Sequence, residues 1–296
     1  MHACVLRYAL LAALLTACLL LAAPGRASVT VHDDTGRAVT LVSPARRIVS
    51  LAPHTTELLF AAGAGAYVVG VTQFSDYPPQ ARSIPSVGSG VSLDLERILQ
   101  MKPDLIVGWN NGQAGMQLDK LQSLGIPVFR SEPYDFKTIA SSLERLAQLA
   151  AAEAAGRSAA ERFRERLAQL QETYRQRRRL SVFYQIWRTP LMTLGGPHLV
   201  TAALNTCGAD NVFGNLKQLA PTVALEAVIK ANPDVIVASG GEQDDVLAGW
   251  KRFPRMSAVA SNNLLLIDGE LLNRSGPRVL DGVEMLCREL DRIRKK

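Results

Sequence analysis

The residues suited to chemistry in this 296-residue chain are few, and their spacing argues for binding rather than catalysis. There is no Gly-x-Ser-x-Gly elbow, Walker loop or His-Glu-x-x-His helix, and Gly63-Ala64-Gly65 and Gly195-Gly196 lack phosphate-loop spacing. No catalytic residue is expected, so the chain reads as a non-enzyme. Past residue 27 only His32, His54 and His198 remain as imidazoles. A metal ion needs several His, Cys or carboxylate ligands that converge, so neither a metal site nor a resident cofactor is expected. His54, ahead of a helix, and His198, after Gly195-Gly196-Pro197, read as cap and turn residues. Cys4 and Cys18 lie within the first 27 residues, which leaves Cys207 and Cys287. In an oxidising compartment that pair is expected to form a disulfide, the alternative being two buried thiols.

The start of the chain bears on that compartment. Arg7 closes a short basic stretch, Ala9 to Ala23 are apolar except for Thr16, and Pro24-Gly25-Arg26-Ala27 supplies small residues for cleavage. Residues 1–27 thus read as an export signal, with an apolar run too short for a confident membrane span. Leu15-Thr16-Ala17-Cys18 has the order of a lipobox, but the run continues through Leu19-Leu20-Leu21, so cleavage after Ala27 is expected ahead of lipidation at Cys18. Charge is modest, with 33 Lys+Arg against 27 Asp+Glu. The one basic run, Arg175, Arg177, Arg178 and Arg179, ends a polar helix, where cations suit the helix dipole. No basic patch interleaves with aromatic residues, so nucleic acid is not an expected partner.

The elements that must position these residues follow from periodicity. Val29-Thr30-Val31 and Ala38-Val39-Thr40-Leu41 flank Asp33-Asp34-Thr35-Gly36, which predicts a hairpin within 28–45. Short apolar strands at 47–51, 68–71, 104–108 and 128–129 alternate with short helices, predicting a parallel α/β lobe over 46–134. Residues 135–179, rich in Ala, Leu, Glu, Arg and Gln, predict a linker helix, either one or two in line. A second α/β lobe is predicted over 180–296. Glu96-Arg97-Ile98 through Lys102-Pro103-Asp104-Leu105-Ile106-Val107 is echoed by Glu226-Ala227-Val228 through Asn232-Pro233-Asp234-Val235-Ile236-Val237, 130 residues later. Each copy is a helix, a Pro-Asp stop and a buried strand. The expected fold is therefore α/β: two doubly wound, Rossmann-like lobes joined by a long α-helix, with a ligand cleft between them.

With these motifs assembled, the chain resembles the helical-backbone class of periplasmic binding proteins, which serve importers of vitamin B12, haem, siderophores and metal ions. The matching stretches are Arg47-Ile48-Val49-Ser50-Leu51-Ala52-Pro53, Phe74-Ser75-Asp76-Tyr77-Pro78-Pro79-Gln80, Leu95-Glu96-Arg97-Ile98, Trp109 and Leu124-Gly125-Ile126-Pro127-Val128. In the second half, Cys207-Gly208, Asn211-Val212-Phe213, Glu226 and Cys287 also match. The likeness is greatest to the cobalamin-binding branch and covers essentially the whole chain after the leader. It implies a monomeric periplasmic receptor that hands a corrinoid, as cargo and not as cofactor, to an ABC permease and its ATPase subunits. It also implies that Glu96 and Glu226 dock into arginine pockets of the permease, through charge-assisted contacts that fix orientation. Helix-dipole complementation is the plainer reading of either acid alone. By the same resemblance Phe74, Trp109 and Arg274 are ligand contacts. Tyr77, Tyr184 and Trp187 join them as candidate contacts, with Trp187 expected to face Trp109 across the cleft. The chain departs from the branch where it has Gly90 and Ala220 in place of further tryptophans, and where Glu270-Leu271-Leu272-Asn273-Arg274 carries no aromatic residue. A haem or ferric-siderophore receptor is the alternative, with His54, His198, Tyr77 or Tyr184 as a candidate ligand to a haem iron.

Overall fold

A computed structural model describes residues 28–90, 92–110, 112–240 and 246–295, so the expected export signal lies outside the described residues. Strands β1 (Val29–His32) and β2 (Ala38–Leu41) pair antiparallel, with Val29 opposite Leu41. Their turn is tied by the Asp33 carboxylate, which accepts from the backbone N–H groups of Thr35 and Arg37, both at 2.9 Å. The first lobe contains β3 (Ile48–Ser50), α1 (Pro53–Ala61), β4 (Val68–Val71), α2 (Leu95–Gln100), β5 (Leu105–Trp109), α3 (Gly112–Ser123) and β6 (Val128–Ser131). Its four strands are parallel in the order β4-β3-β5-β6. Helices α4 (Phe136–Ala150) and α5 (Glu153–Tyr174) follow.

The second lobe contains β7 (Leu180–Gln185), α6 (Leu199–Thr206), β8 (Ala209–Asn211), α7 (Leu225–Ala231), β9 (Val235–Ser239), α8 (Ser257–Ala260), β10 (Leu264–Ile267), α9 (Gly269–Leu272) and α10 (Val279–Arg294). Its sheet is again parallel, ordered β10-β9-β7-β8. Counted from each lobe's first strand, both sheets therefore run second, first, third, fourth. The sequence repeat falls on α2–β5 and α7–β9, with Ile98 and Val228 buried and Glu96 and Glu226 exposed. The repeated Pro-Asp has a physical role. Each helix stops at a left-handed residue, Lys102 (φ 46°) or Asn232 (φ 42°), and the following Pro cannot continue it. The Asp then ties its strand to the lobe's first strand. Asp104 accepts from the backbone N–H groups of Arg46 and Arg47 at 2.8 and 3.0 Å, and Asp234 from that of Ser181 at 2.8 Å.

Of the two forms expected for the linker across 135–179, one helix or two in line, the chain takes two helices, and they are not in line. Ala151 turns left-handed (φ 51°) and α5 folds back along α4. The rings of Phe136 and Phe163 lie 6.4 Å apart, and Arg164 pairs with Glu144 at 2.8 Å. A Cβ on Gly156 would come within 2.3 Å of the Ala147 Cβ, so only glycine permits this approach. Helix α4 belongs to the first lobe, packed on α1 and β1, and the long helix that reaches the second lobe is α5, where Arg166 pairs with Asp281 and Glu284. One buried apolar cluster runs from Val31 and Leu58 through Leu146, Ala160 and Leu170 to Leu204 and Leu286, so both lobes share a core along this side. Cys207 and Cys287 form a disulfide between the end of α6 and the middle of α10.

Candidate functional site: an interlobe cleft

In parallel α/β sheets a ligand site forms outside the carboxyl ends of the strands where the strand order reverses. In the first lobe that point lies between β3 and β5. The chain leaves β3 through Leu51-Ala52-Pro53-His54, and β5 ends on Trp109. These segments, with Glu132-Pro133-Tyr134 after β6, form one wall of a cleft of about 570 Å³. Pro197, His198 and Leu199 at the start of α6, Leu219, and Asn273, Arg274 and Ser275 after α9 form the other. Trp109 and Tyr134 are about half exposed, as ligand-stacking rings must be.

The polar framework beneath these walls is specific. The Ser50 hydroxyl lies 2.7 and 2.8 Å from those of Thr55 and Thr56, fixing the turn from β3 into α1. Buried Arg130 on β6 donates to Asn110 Oδ1 at 2.9 Å, to Asp119 at 2.6 Å and to Gln122 at 2.9 Å, which anchors the chain just beyond Trp109. His54 stands edge-on to the Trp109 indole, with centroids 6.1 Å apart, and its buried Nε2 has no hydrogen-bond partner. Burial pushes His54 down to about 4. His198 caps α6, its Nδ1 accepting from the Val200 N–H at 3.1 Å, and burial pushes it also down to about 4. Both imidazoles are neutral at neutral pH. They occupy equivalent places, each at the start of the helix that follows its lobe's first strand.

The rim carries an ion cluster that crosses between the lobes. Arg278 donates to both oxygens of the buried Glu57 carboxylate, at 2.6 and 3.1 Å, while its guanidinium stacks 3.9 Å above the Tyr77 ring. Arg274 meets Asp76 at 2.9 Å and Glu57 at 3.6 Å, and also pairs with Glu270. A Cβ on Gly276 would sit 2.9 Å from Glu57 Oε2, so the glycine leaves room for the carboxylate. Hydrogen bonding to Arg274 holds Asp76 below the usual carboxylate range, and bonding to Glu57 raises Arg278. Behind the cluster a second cavity of about 530 Å³ is bounded by Glu57, Phe60, Tyr77 and Arg278.

Of the residues expected at the ligand, Trp109 and Arg274 line the cleft. Phe74 projects into solvent from the loop after β4, with its backbone left-handed at φ 65°, and does not line the cleft. Tyr77 borders the second cavity instead. Tyr184 is corrected: it is fully buried in β7, its hydroxyl donates to Asn273 Oδ1 at 3.4 Å, and burial pushes it up to about 12. A central strand of a parallel sheet is covered on both faces, and Tyr184 lies short of its carboxyl end. Trp187 is exposed, with its indole N–H given to the Thr189 carbonyl at 2.9 Å, and it is not among the described cleft residues opposite Trp109. Glu96 and Glu226 are exposed at equivalent positions on α2 and α7. Glu132, Tyr134 and Leu219 were missed, although the position of Glu132 and Tyr134 just past a buried parallel strand was a usable signal.

The sequence matches the family described as periplasmic binding protein over residues 48–271. It is 33% identical to a vitamin B12-binding protein of Vibrio campbellii over 255 residues, which covers 86% of this chain and 92% of that protein. Among solved structures, the periplasmic vitamin B12-binding protein of Vibrio cholerae superposes with a TM-score of 0.77 at 35% identity, covering 86% of this chain and 99% of that one. A periplasmic haem-binding protein of Roseiflexus, 24% identical with a TM-score of 0.74, covers 84% of this chain and 99% of that one, and shares the fold alone.

Proposed function

We propose, on the premise that this chain belongs to the periplasmic binding protein family, that it captures cobalamin or a related corrinoid between its lobes and delivers it to an ABC permease. The observation that carries this reading is the cleft itself: about 570 Å³ open at the strand ends of two lobes of the same topology, walled by Trp109, Tyr134, Leu199 and Leu219. Such a space suits a flat, largely apolar macrocycle held by a few polar groups at its edge. The relatives named for vitamin B12 binding support the ligand class. Export to the periplasm, through the leader at 1–27, belongs to the same proposal.

Delivery would use Glu96 and Glu226, one exposed acid on each lobe, meeting arginines on the membrane subunits, with the partner ATPase driving release. Two anchors, one on each lobe, specify orientation as well as affinity. The shared core along α4, α5, α6 and α10 favours a small closing motion over a wide hinge. Calorimetric titration of the mature protein with cyanocobalamin, run beside hemin, tests the reading. One-to-one binding of cyanocobalamin is the expected result. A new Soret band with hemin and no heat with cyanocobalamin would replace the corrinoid with haem.

A further inference from the structure

The cleft has very little free positive charge. Among the described residues that line it, the charged side chains are Glu132 and Arg274 alone, since His54 and His198 are held neutral by burial. Arg274 is not available to an anion. It is only 13% exposed, and Asp76, Glu57 and Glu270 surround its guanidinium. The neighbouring cation, Arg278, is committed to Glu57 through two hydrogen bonds. Three carboxylates thus face two guanidiniums at the rim, and Glu132 adds a fourth carboxylate with no ion pair among the described residues.

At the helix starts beside the cleft, part of the donor set is already spent. Pro53 has no N–H, the Ala52 N–H is given to the Thr55 hydroxyl at 3.1 Å, and the Val200 N–H is given to His198. What the cleft offers instead is an acceptor, the Glu132 carboxylate, while the unpartnered Nε2 of His54 is buried beneath the wall. Placing a carboxylate here would set like charges together, with no donor cation to answer them.

We infer that this cleft reads the charge of its ligand's side chains, holding a macrocycle fringed with neutral, N–H-bearing carboxamides and rejecting the same macrocycle when it bears a carboxylate. The inference rests on the corrinoid reading and deepens it: the specificity determinants are the acids Asp76, Glu57 and Glu270 that neutralise Arg274, together with Glu132. A cation-poor cleft also disfavours haem, whose propionates are best answered by a cation.

The test compares cyanocobalamin with its monocarboxylic acids, in which one side-chain amide has become a carboxylate of nearly the same shape. Affinities are measured for the wild-type protein and for Asp76→Asn and Glu132→Gln. Wild type is expected to bind each acid whose altered group enters the cleft about tenfold or more weakly than cyanocobalamin. In Asp76→Asn, where Arg274 loses a counter-charge, and in Glu132→Gln the gap is expected to narrow severalfold. Monoacids that all bind wild type as tightly as cyanocobalamin would overturn the inference alone, and so would a gap that neither variant changes. If wild type ignores cyanocobalamin and binds hemin, the corrinoid reading falls and this inference with it.

Discussion

The interlobe ion cluster is the part of the molecule whose removal has the clearest consequence. Glu57 reaches from α1 of the first lobe to Arg278 at the start of α10 in the second, and its side chain is only 2% exposed. Replacing it by methionine leaves the Arg278 guanidinium with no carboxylate and Arg274 with one fewer. Breaking a buried pair from one side costs about 3–5 kcal/mol, because the orphaned charge stays desolvated. Arg278 is 21% exposed and keeps its stacking on Tyr77, so the lower end, about 3 kcal/mol, is expected. Glu57→Met combined with Arg278→Met removes both charges and should cost less than the two single changes together, by about 2 kcal/mol. Urea unfolding followed by tryptophan fluorescence measures all three variants. A loss under about 1 kcal/mol for Glu57→Met, or simple additivity of the singles, would show that the cluster does not join the lobes energetically.

Three further outcomes are expected. Replacing Cys207 and Cys287 by serine releases a cross-link spanning 80 residues, which should lower stability by about 4 kcal/mol on loop-closure grounds. Urea midpoints with and without reductant check this, and wild type should fall on reduction while the double variant stays put. His54, held near 4 instead of 6.5, has a depressed folded-state value, so its contribution is complete above pH 6.5 and is lost as pH falls towards 4. That loss is about 3 kcal/mol and has the same sign for His198; a pH series of unfolding curves should flatten over this window in His54→Gln. Glu96→Lys with Glu226→Lys is expected to abolish cellular uptake of the ligand while calorimetric affinity is retained, and unimpaired uptake would reject docking through these acids.

Much of this architecture is legible residue by residue because its signals are local. Ile48-Val49, Leu105-Ile106-Val107 and Val235-Ile236-Val237 are apolar runs that only a strand covered on both faces would carry, and those strands are all found. The repeat is visible because Pro and Asp punctuate it at matching offsets. The break at Ala151-Ala152 is invisible for the opposite reason. Alanine forms helix as well as any residue, and what turns the chain is the packing of Gly156 on Ala147, a tertiary contact. Aromatic candidates divide on position along the strand. Trp109 is the last residue of β5 and reaches the cleft, whereas Tyr184 stands one residue short of the end of β7, pairs with Val237 and stays in the core.

The charge of the cleft is the property that local reading gets most wrong. Arg274 looks like a rim cation waiting for an anion, and nothing within several residues of it except Glu270 argues otherwise. Its other partners, Asp76 and Glu57, lie 198 and 217 residues earlier, brought to it only when α1, the loop after β4 and the turn before α10 meet at the lobe junction. The same acid-rich junction therefore does two things at once. It binds the lobes to each other through Glu57 and Arg278, and by occupying Arg274 it takes up the one cation among the described residues that line the cleft. A substitution that loosens the lobes at Glu57 should for this reason also weaken the preference for amide over carboxylate ligands, and the two effects should rise and fall together across variants of Glu57.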